Sequence, residues 1–216
     1  MRGRRGAGPV NSMLDVYARS FSERWVRPTA GWLGRHGISP NAITAAGIVT
    51  SALSGAAILE ARLRLGLALL VLTGVLDLLD GAVARSLNAP TRRGAFLDSV
   101  SDRVTEIFVF GGLAGQQLIA GSSLGAGLAV GALVVGMQVS YIRARAQSLG
   151  ADARASIAGR GERLVGLGVA LVFPAYTRPI LAALVVLSTI TVFQRVAEGW
   201  RRLGEPERPA DRAGEP

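Results

Sequence analysis

Four of the seven aspartates in this chain fall within one stretch, LDLLDGAVARSLNAPTRRGAFLDSVSD, residues 76–102. They are Asp77, Asp80, Asp98 and Asp102. Carboxylate oxygens gathered in this way suit hard divalent cations such as Mg²⁺. Four of them suffice for two metals that share bridging oxygens, an arrangement that clamps a phosphoryl group in transit. Without cations the set is costly. An aspartate at mid-membrane costs about 2.5–3.5 kcal/mol on translocon scales, and like charges in contact add repulsion. Arg85 and Arg103 offset part of this. Gly81 directly follows Asp80 and Ala84 is small, which leaves room for a ligand close to the backbone. Thr91, Arg92 and Arg93 add donors for phosphate oxygens. Together these residues describe a metal-dependent diphosphate site.

The elements that carry these residues are apolar. Half of the chain is hydrophobic, in blocks at 42–59, 65–79, 107–119, 124–139, 164–173 and 180–193. Several blocks approach the roughly 20 residues that a helix needs to cross a bilayer, and a soluble core of that size is too large for this chain. The blocks do not alternate apolar and polar residues, as a membrane barrel would. The pattern predicts an all-α, polytopic membrane protein with six transmembrane helices in one domain, residues 34–200. The second span covers 63–86 and the third 94–120, joined by a short turn with Pro90 and Gly94 as breakers. Asp77 and Asp80, at i and i+3, then face Asp98 and Asp102, at i and i+4, near the cytoplasmic end of a hairpin.

Residues 1–33 form a basic segment without the apolar core of a signal peptide. Within it, 12–33 is expected as an amphipathic helix on the membrane surface, with Trp25 and Trp32 as anchors. Residues 201–216 are expected as a disordered cytoplasmic tail.

Composition removes other chemistries. There is no cysteine, and His36 is the single histidine, so thiolates, disulfides and histidine triads are excluded. All 24 basic residues are arginine, which excludes amine catalysis. The net charge of +9 follows from topology: six spans with both ends inside leave Arg62, Arg64 and Arg178 in outer loops and nearly all other extramembrane arginines in the cytoplasm. This implies a multi-pass protein of a bacterial cell membrane with its site on the cytoplasmic side. Aromatics are 6% of the chain and lie mostly in spans, so no nucleic-acid platform is formed. A transporter with intramembrane carboxylates is the alternative from another class.

The string Asp77-x2-Asp80-Gly81-x2-Ala84-Arg85-x8-Gly94-x3-Asp98-x3-Asp102 resembles the signature of the CDP-alcohol phosphotransferases at every fixed position. Chance agreement is on the order of 10⁻⁷ or less, because residue frequencies multiply across positions. The resemblance implies a divalent-metal-dependent enzyme of phospholipid synthesis. It would transfer a phosphatidyl group from CDP-diacylglycerol to an alcohol and release CMP. It further implies two metals per site, Mg²⁺ or Mn²⁺, on Asp77, Asp80, Asp98 and Asp102, with Asp102 also the catalytic base. Gly81, Arg85 and Thr91 would contact the CDP-lipid. The family is typically homodimeric, and Gly111, Gly112, Gly127 and Gly131 would allow close contact between copies.

Upstream, GRHGISPNAITAAGI (residues 34–48) looks like the family's entry to the first span, which adds Pro40, Asn41, Ala42 and Ile43 as CDP-lipid contacts. Pro40 can start a helix, with a Pro-Asn-x-x-Thr polar edge. Arg143, Arg163 and Arg195 come from three spans on one membrane side and are expected to bind an acceptor phosphate. The run SYIRARA…ERL…QR is similar to actinobacterial phosphatidylinositol-phosphate synthases, which implies inositol 1-phosphate as acceptor. Arginine stands at 143 where those enzymes usually carry lysine, and AGRGERL departs from their pattern. Glycerol 3-phosphate, giving phosphatidylglycerophosphate, is therefore a second reading, and serine a third.

Overall fold

A computed structural model of the chain describes residues 26–87, 91–151, 157 and 159–204. Among them all regular structure is helical: α1 (Arg27–Arg35), α2 (Pro40–Leu59), α3 (Leu63–Ser86), α4 (Arg92–Ile119), α5 (Ser123–Ser148), α6 (Arg160–Val172) and α7 (Thr177–Leu203). A 3-10 turn, Pro174–Tyr176, precedes α7. Trp25, Pro90, most of the expected interfacial helix and most of the expected tail lie outside the described residues. The described end of that helix is α1, where Ala30 is buried and Trp32 is exposed. His36 Nδ1 donates to the Trp32 carbonyl at 2.8 Å, and the His36 ring stacks on the Trp32 indole. Residues 201–203, where the expected tail begins, are the end of α7.

Among the described residues four segments are long and apolar enough to cross a membrane: Pro40–Leu59, Leu63–Ser86, Ser123–Ser148 and Pro174–Leu203. Only 28% to 39% of each apolar window is buried, so most of that surface points outward, through side chains such as Val49, Leu53, Val71, Val134, Val186 and Phe193. Soluble monomers rarely expose contiguous apolar patches on this scale, which identifies a membrane protein. α4 is long enough but carries Asp98, Asp102 and Arg103 in its first half and Glu106 at its middle. α6 has 13 residues, about 20 Å of helix, against a hydrocarbon core of about 30 Å.

Local sequence sets the helix ends. Ser39 caps α2 by accepting from the Ala42 N–H at 3.2 Å, with Pro40 in the first helical position. Thr91 caps α4 in the same way, accepting from the Gly94 N–H at 2.9 Å. α4 closes on Gly121 at φ 76°, with Ser122 N–H donating to the Gln117 carbonyl at 2.8 Å. α2 closes with the same bond, Arg62 N–H to Ala57 carbonyl at 2.8 Å, yet the left-handed residue is Ala61 at φ 58°. A Cβ in that conformation costs about 1–2 kcal/mol.

The chain divides into two compact units, Met1–Ile48 with Leu72–Ser101 and Val49–Val71 with Asp102–Pro216. The first has a small core of Val26, Ala30, Ile43, Ala82 and Val83. The second has a larger one, in which Ile58, Leu70, Val109, Phe110, Leu113, Leu167, Leu181 and Leu184 pack together. Within the second unit α2 and α4 meet at Gly55 and Gly112, where a Cβ on Gly112 would collide with the Gly55 backbone and one on Gly55 with the Phe108 carbonyl. Small residues permit this backbone contact in lipid. Gly112 is thus used inside the chain, and Gly131 lies against Val185, while Gly111 and Gly127 have open space where a Cβ would stand.

Candidate active site

In the first unit the start of α2, the end of α3 and the start of α4 line a cavity of about 520 Å³. α3 contributes Asp77, Asp80, Gly81, Ala84 and Arg85, whose helical spacing puts them on one side. α4 contributes its cap Thr91 and then Gly94, Ala95 and Asp98, and α2 contributes Ser39, Pro40, Asn41 and Thr44.

Asp77 and Asp98 each offer an oxygen within 4.8 Å of the other. Two oxygens on one Mg²⁺, each at about 2.0–2.1 Å, lie at most about 4.2 Å apart. A small side-chain rotation closes the difference, so this donor set fits a divalent cation. Asp80 is buried, and its Oδ2 accepts from the Thr44 hydroxyl at 2.6 Å. That hydroxyl also lies 3.1 Å from the Pro40 carbonyl one turn back. The first helix of the cavity thus holds a carboxylate of the second in place.

The same cavity also carries groups that suit anions. The capped N-termini of α2 and α4 both open on the cavity, and their remaining first-turn N–H groups and positive dipole ends favour phosphate. Arg85 adds a guanidinium. A Cβ on Gly81 would stand 3.3 Å from Arg85 Nη1, so glycine leaves that group its space. Carboxylates and donors that line one cavity suit a metal-bound diphosphate.

Among the upstream residues picked from sequence, Pro40 and Asn41 line the cavity. Ala42 is exposed and off its wall, and Ile43 is turned into the first unit's core. Helical period explains this. Residues 40, 41 and 44 share one side, and 43 points toward Val26 and Ala82.

In the second unit Asp102 follows Asp98 by four residues in the sequence of α4. Asp102 Oδ1 pairs with Arg160 Nη1 at 2.8 Å, and Arg103 lies 3.5 Å from the other oxygen. One turn further on, Glu106 pairs with Arg163 Nη2 at 2.5 Å, with both side chains buried. Arg195, also buried, donates from Nη1 to the Val139 carbonyl at 2.6 Å. Arg143 is exposed, and the fields of Arg143 and Arg163 both reach Arg195. The three arginines picked from sequence, on α5, α6 and α7, therefore share one neighbourhood. Topology-setting arginines keep their charge in water or at the interface, so burial of Arg163 and Arg195 calls for another role.

Sequence reasoning did not select Ser39, Thr44, Glu106 or Arg160. Thr44 stands in the Pro-Asn-x-x-Thr edge, which was a usable signal. Glu106 continues the i, i+4 series of Asp98 and Asp102. Arg160 carried no signal beyond its charge.

The model of the CDP-alcohol phosphatidyltransferase family matches residues 37–196. Archaetidylinositol phosphate synthase of Methanothermobacter thermautotrophicus is 34% identical over 89% of this chain and 96% of its own. Phosphatidylinositol phosphate synthase of Streptomyces avermitilis is 33% identical over 95% of this chain and 91% of its own. The crystal structure of Mycobacterium tuberculosis phosphatidylinositol phosphate synthase with CDP-DAG bound matches with a TM-score of 0.78 at 30% identity, covering 86% of this chain and 98% of that one. A second structure of that synthase, in complex with manganese and citrate, matches with a TM-score of 0.77 at 30% identity, covering 85% and 92%.

Proposed function

The chain belongs to the CDP-alcohol phosphatidyltransferase family, and on that premise we propose that it moves the phosphatidyl group of CDP-diacylglycerol onto a hydroxyl of inositol 1-phosphate, releasing CMP. The observation that carries the acceptor is that Arg163 lies against Gly136 and Arg195 donates to the Val139 carbonyl, both on the stretch of α5 that leads to Arg143. Guanidinium forks match phosphate oxygens, and a neutral acceptor gives such a cluster nothing to bind. The names of the two curated relatives differ in their lipid and share inositol phosphate, which supports the same acceptor.

Asp77, Asp80, Asp98 and Asp102 would hold two divalent cations, Mg²⁺ or Mn²⁺; such cations would neutralise a diphosphate and raise the acidity of a nearby hydroxyl. Gly81, Arg85 and Thr91, with Pro40 and Asn41, would bind the cytidine diphosphate. Arg143, Arg163 and Arg195 would hold the acceptor's phosphate and so aim its hydroxyl. The hydroxyl oxygen attacks the lipid-side phosphorus, the bond to the bridging oxygen breaks, and that oxygen leaves on CMP. The hydroxyl proton passes to Asp102. Arg160, paired with Asp102, orients this carboxylate in the absence of substrate. Most of the rate then comes from alignment and charge neutralisation.

This reading places residues 34–200 in the bacterial cell membrane as six spans, α4 and α6 included, with the site on the cytoplasmic side. The protein would act as a homodimer, with Gly111 and Gly127 as the small residues left open for contact.

The test uses purified protein, CDP-diacylglycerol and four acceptors: inositol 1-phosphate, inositol, glycerol 3-phosphate and serine. CMP release and the mass of the lipid product are both read. Phosphatidylinositol phosphate is the expected product. Phosphatidylglycerophosphate or phosphatidylserine as the main product would refute the acceptor, and ion flux in liposomes without CMP would refute the reaction.

A further inference from the structure

The mechanism above makes no use of Glu106. Its partner Arg163 is 1% exposed and Glu106 is 3% exposed by side chain, so neither serves as a surface charge. Arg160 and Arg163 stand in the first turn of α6 and just after it, and Gly159 supplies no side-chain cap there. This is the positive end of the helix dipole, where cations are disfavoured. Helix stability therefore argues against arginine at both positions.

α4 is what holds them. Asp102 pairs with Arg160 at 2.8 Å and Glu106 with Arg163 at 2.5 Å. The carboxylates are spaced i, i+4 and the guanidiniums i, i+3, so a single face of α4 meets a single face of α6 in two rungs. α5 closes a third side at Gly136, where a Cβ would lie 2.7 Å from Arg163 Nε and 3.1 Å from its Cζ. A buried ion pair is a poor source of stability, because desolvation cancels much of its attraction. It does fix where a guanidinium sits.

We propose that Glu106 is a positioning residue for the acceptor. Its carboxylate holds the Arg163 guanidinium against Gly136, so that Arg163 meets an incoming phosphate monoester beside Arg143 and Arg195. The proposal rests on the reading of the acceptor as a phosphorylated alcohol.

Two conservative variants separate geometry from charge. Glu106→Asp keeps the charge and withdraws the carboxylate by one methylene. Glu106→Gln keeps the reach and an accepting oxygen and drops the charge. Positioning predicts a KM for inositol 1-phosphate raised about tenfold in Glu106→Asp and within about threefold of wild type in Glu106→Gln, a spread well inside what one charge-assisted hydrogen bond can supply. The KM for CDP-diacylglycerol should stay within about twofold in both. Added to Arg163→Gln, Glu106→Asp should change the acceptor KM no further, because it acts through a group already removed.

A purely structural role would lower melting temperature and kcat and leave the acceptor KM alone, which would overturn the proposal. So would the reverse order, with Glu106→Gln impaired and Glu106→Asp normal, or a full additional loss in the Arg163→Gln background. A raised KM in Arg163→Gln beside an unmoved one in Glu106→Asp would overturn the positioning role alone. An unmoved acceptor KM in Arg163→Gln itself would overturn the acceptor reading beneath it.

Discussion

Replacing Thr44 by valine keeps the branch at Cβ and removes the hydroxyl that donates to Asp80 Oδ2 at 2.6 Å. Asp80 is 6% exposed, so water does not take the lost donor's place. A hydrogen bond to a charged group contributes about 1.5–3 kcal/mol. Supporting partners of metal-binding side chains typically contribute 10- to 100-fold in metal affinity. At about 1.4 kcal/mol per factor of ten, these two estimates agree. The expected outcome for Thr44→Val is a half-saturating Mg²⁺ or Mn²⁺ concentration raised about 10- to 100-fold. Thr44→Ser restores the hydroxyl and should stay within about threefold of wild type. The assay is CMP release at saturating substrates across a metal titration, with the melting temperature in detergent read in parallel to separate metal affinity from folding. A folded Thr44→Val protein with an unchanged metal midpoint would refute the idea that α2 sets the geometry of the metal-binding carboxylates.

Asp77→Asn and Asp98→Asn should each abolish transfer in a folded, extractable protein, because the amide keeps the shape and loses the charge; measurable CMP release near the wild-type rate in either would count against the metal assignment. Asp102→Asn should slow turnover by about 10²–10⁴-fold, the usual contribution of a general base, with CDP-diacylglycerol affinity within about twofold. An affinity that falls in step with the rate would make Asp102 chiefly a metal ligand. Gly136→Ala presses a methyl against Arg163 and should raise the KM for inositol 1-phosphate several-fold, about 3- to 10-fold if one charge-assisted contact is weakened without being lost; an unchanged value would show that the guanidinium yields freely. Ala61→Gly relieves the left-handed backbone at φ 58° and should stabilise by about 0.5–1 kcal/mol, seen as a higher melting temperature.

The cavity was legible in the sequence where local rules govern it. The motif spacing put Asp77, Asp80, Gly81 and Ala84 on one helical face, and Pro40 after Ser39 marked where α2 begins. Ile43 sits in the first unit's core and off the cavity wall, because the helical period turns it away from 40, 41 and 44. Partners across the fold were out of reach. Glu106 and Arg163 are separated by 57 positions, and no local propensity joins them. Burial of Arg195 was equally hidden, since an arginine beside a membrane boundary reads first as an anchor. Membrane spans were legible in α2, α3, α5 and α7, where apolar residues are continuous. α4 does not meet that description, because Asp98, Asp102, Arg103 and Glu106 interrupt its apolar run.

The outward-facing apolar side chains of α2, α3, α5 and α7 have a kinetic consequence. A diacylglycerol-linked donor and its lipid product never leave the phase that those side chains face. The enzyme therefore samples its donor in two dimensions, and bulk molarity is the wrong scale for it. Diluting the donor with inert detergent or lipid at constant total amount should slow turnover in proportion to its surface mole fraction below saturation. The water-soluble acceptor should obey ordinary molar kinetics throughout. One catalytic cycle thus joins a surface-dilution law to a solution law, and a Michaelis constant for the donor has meaning only with the composition of the surrounding film stated beside it.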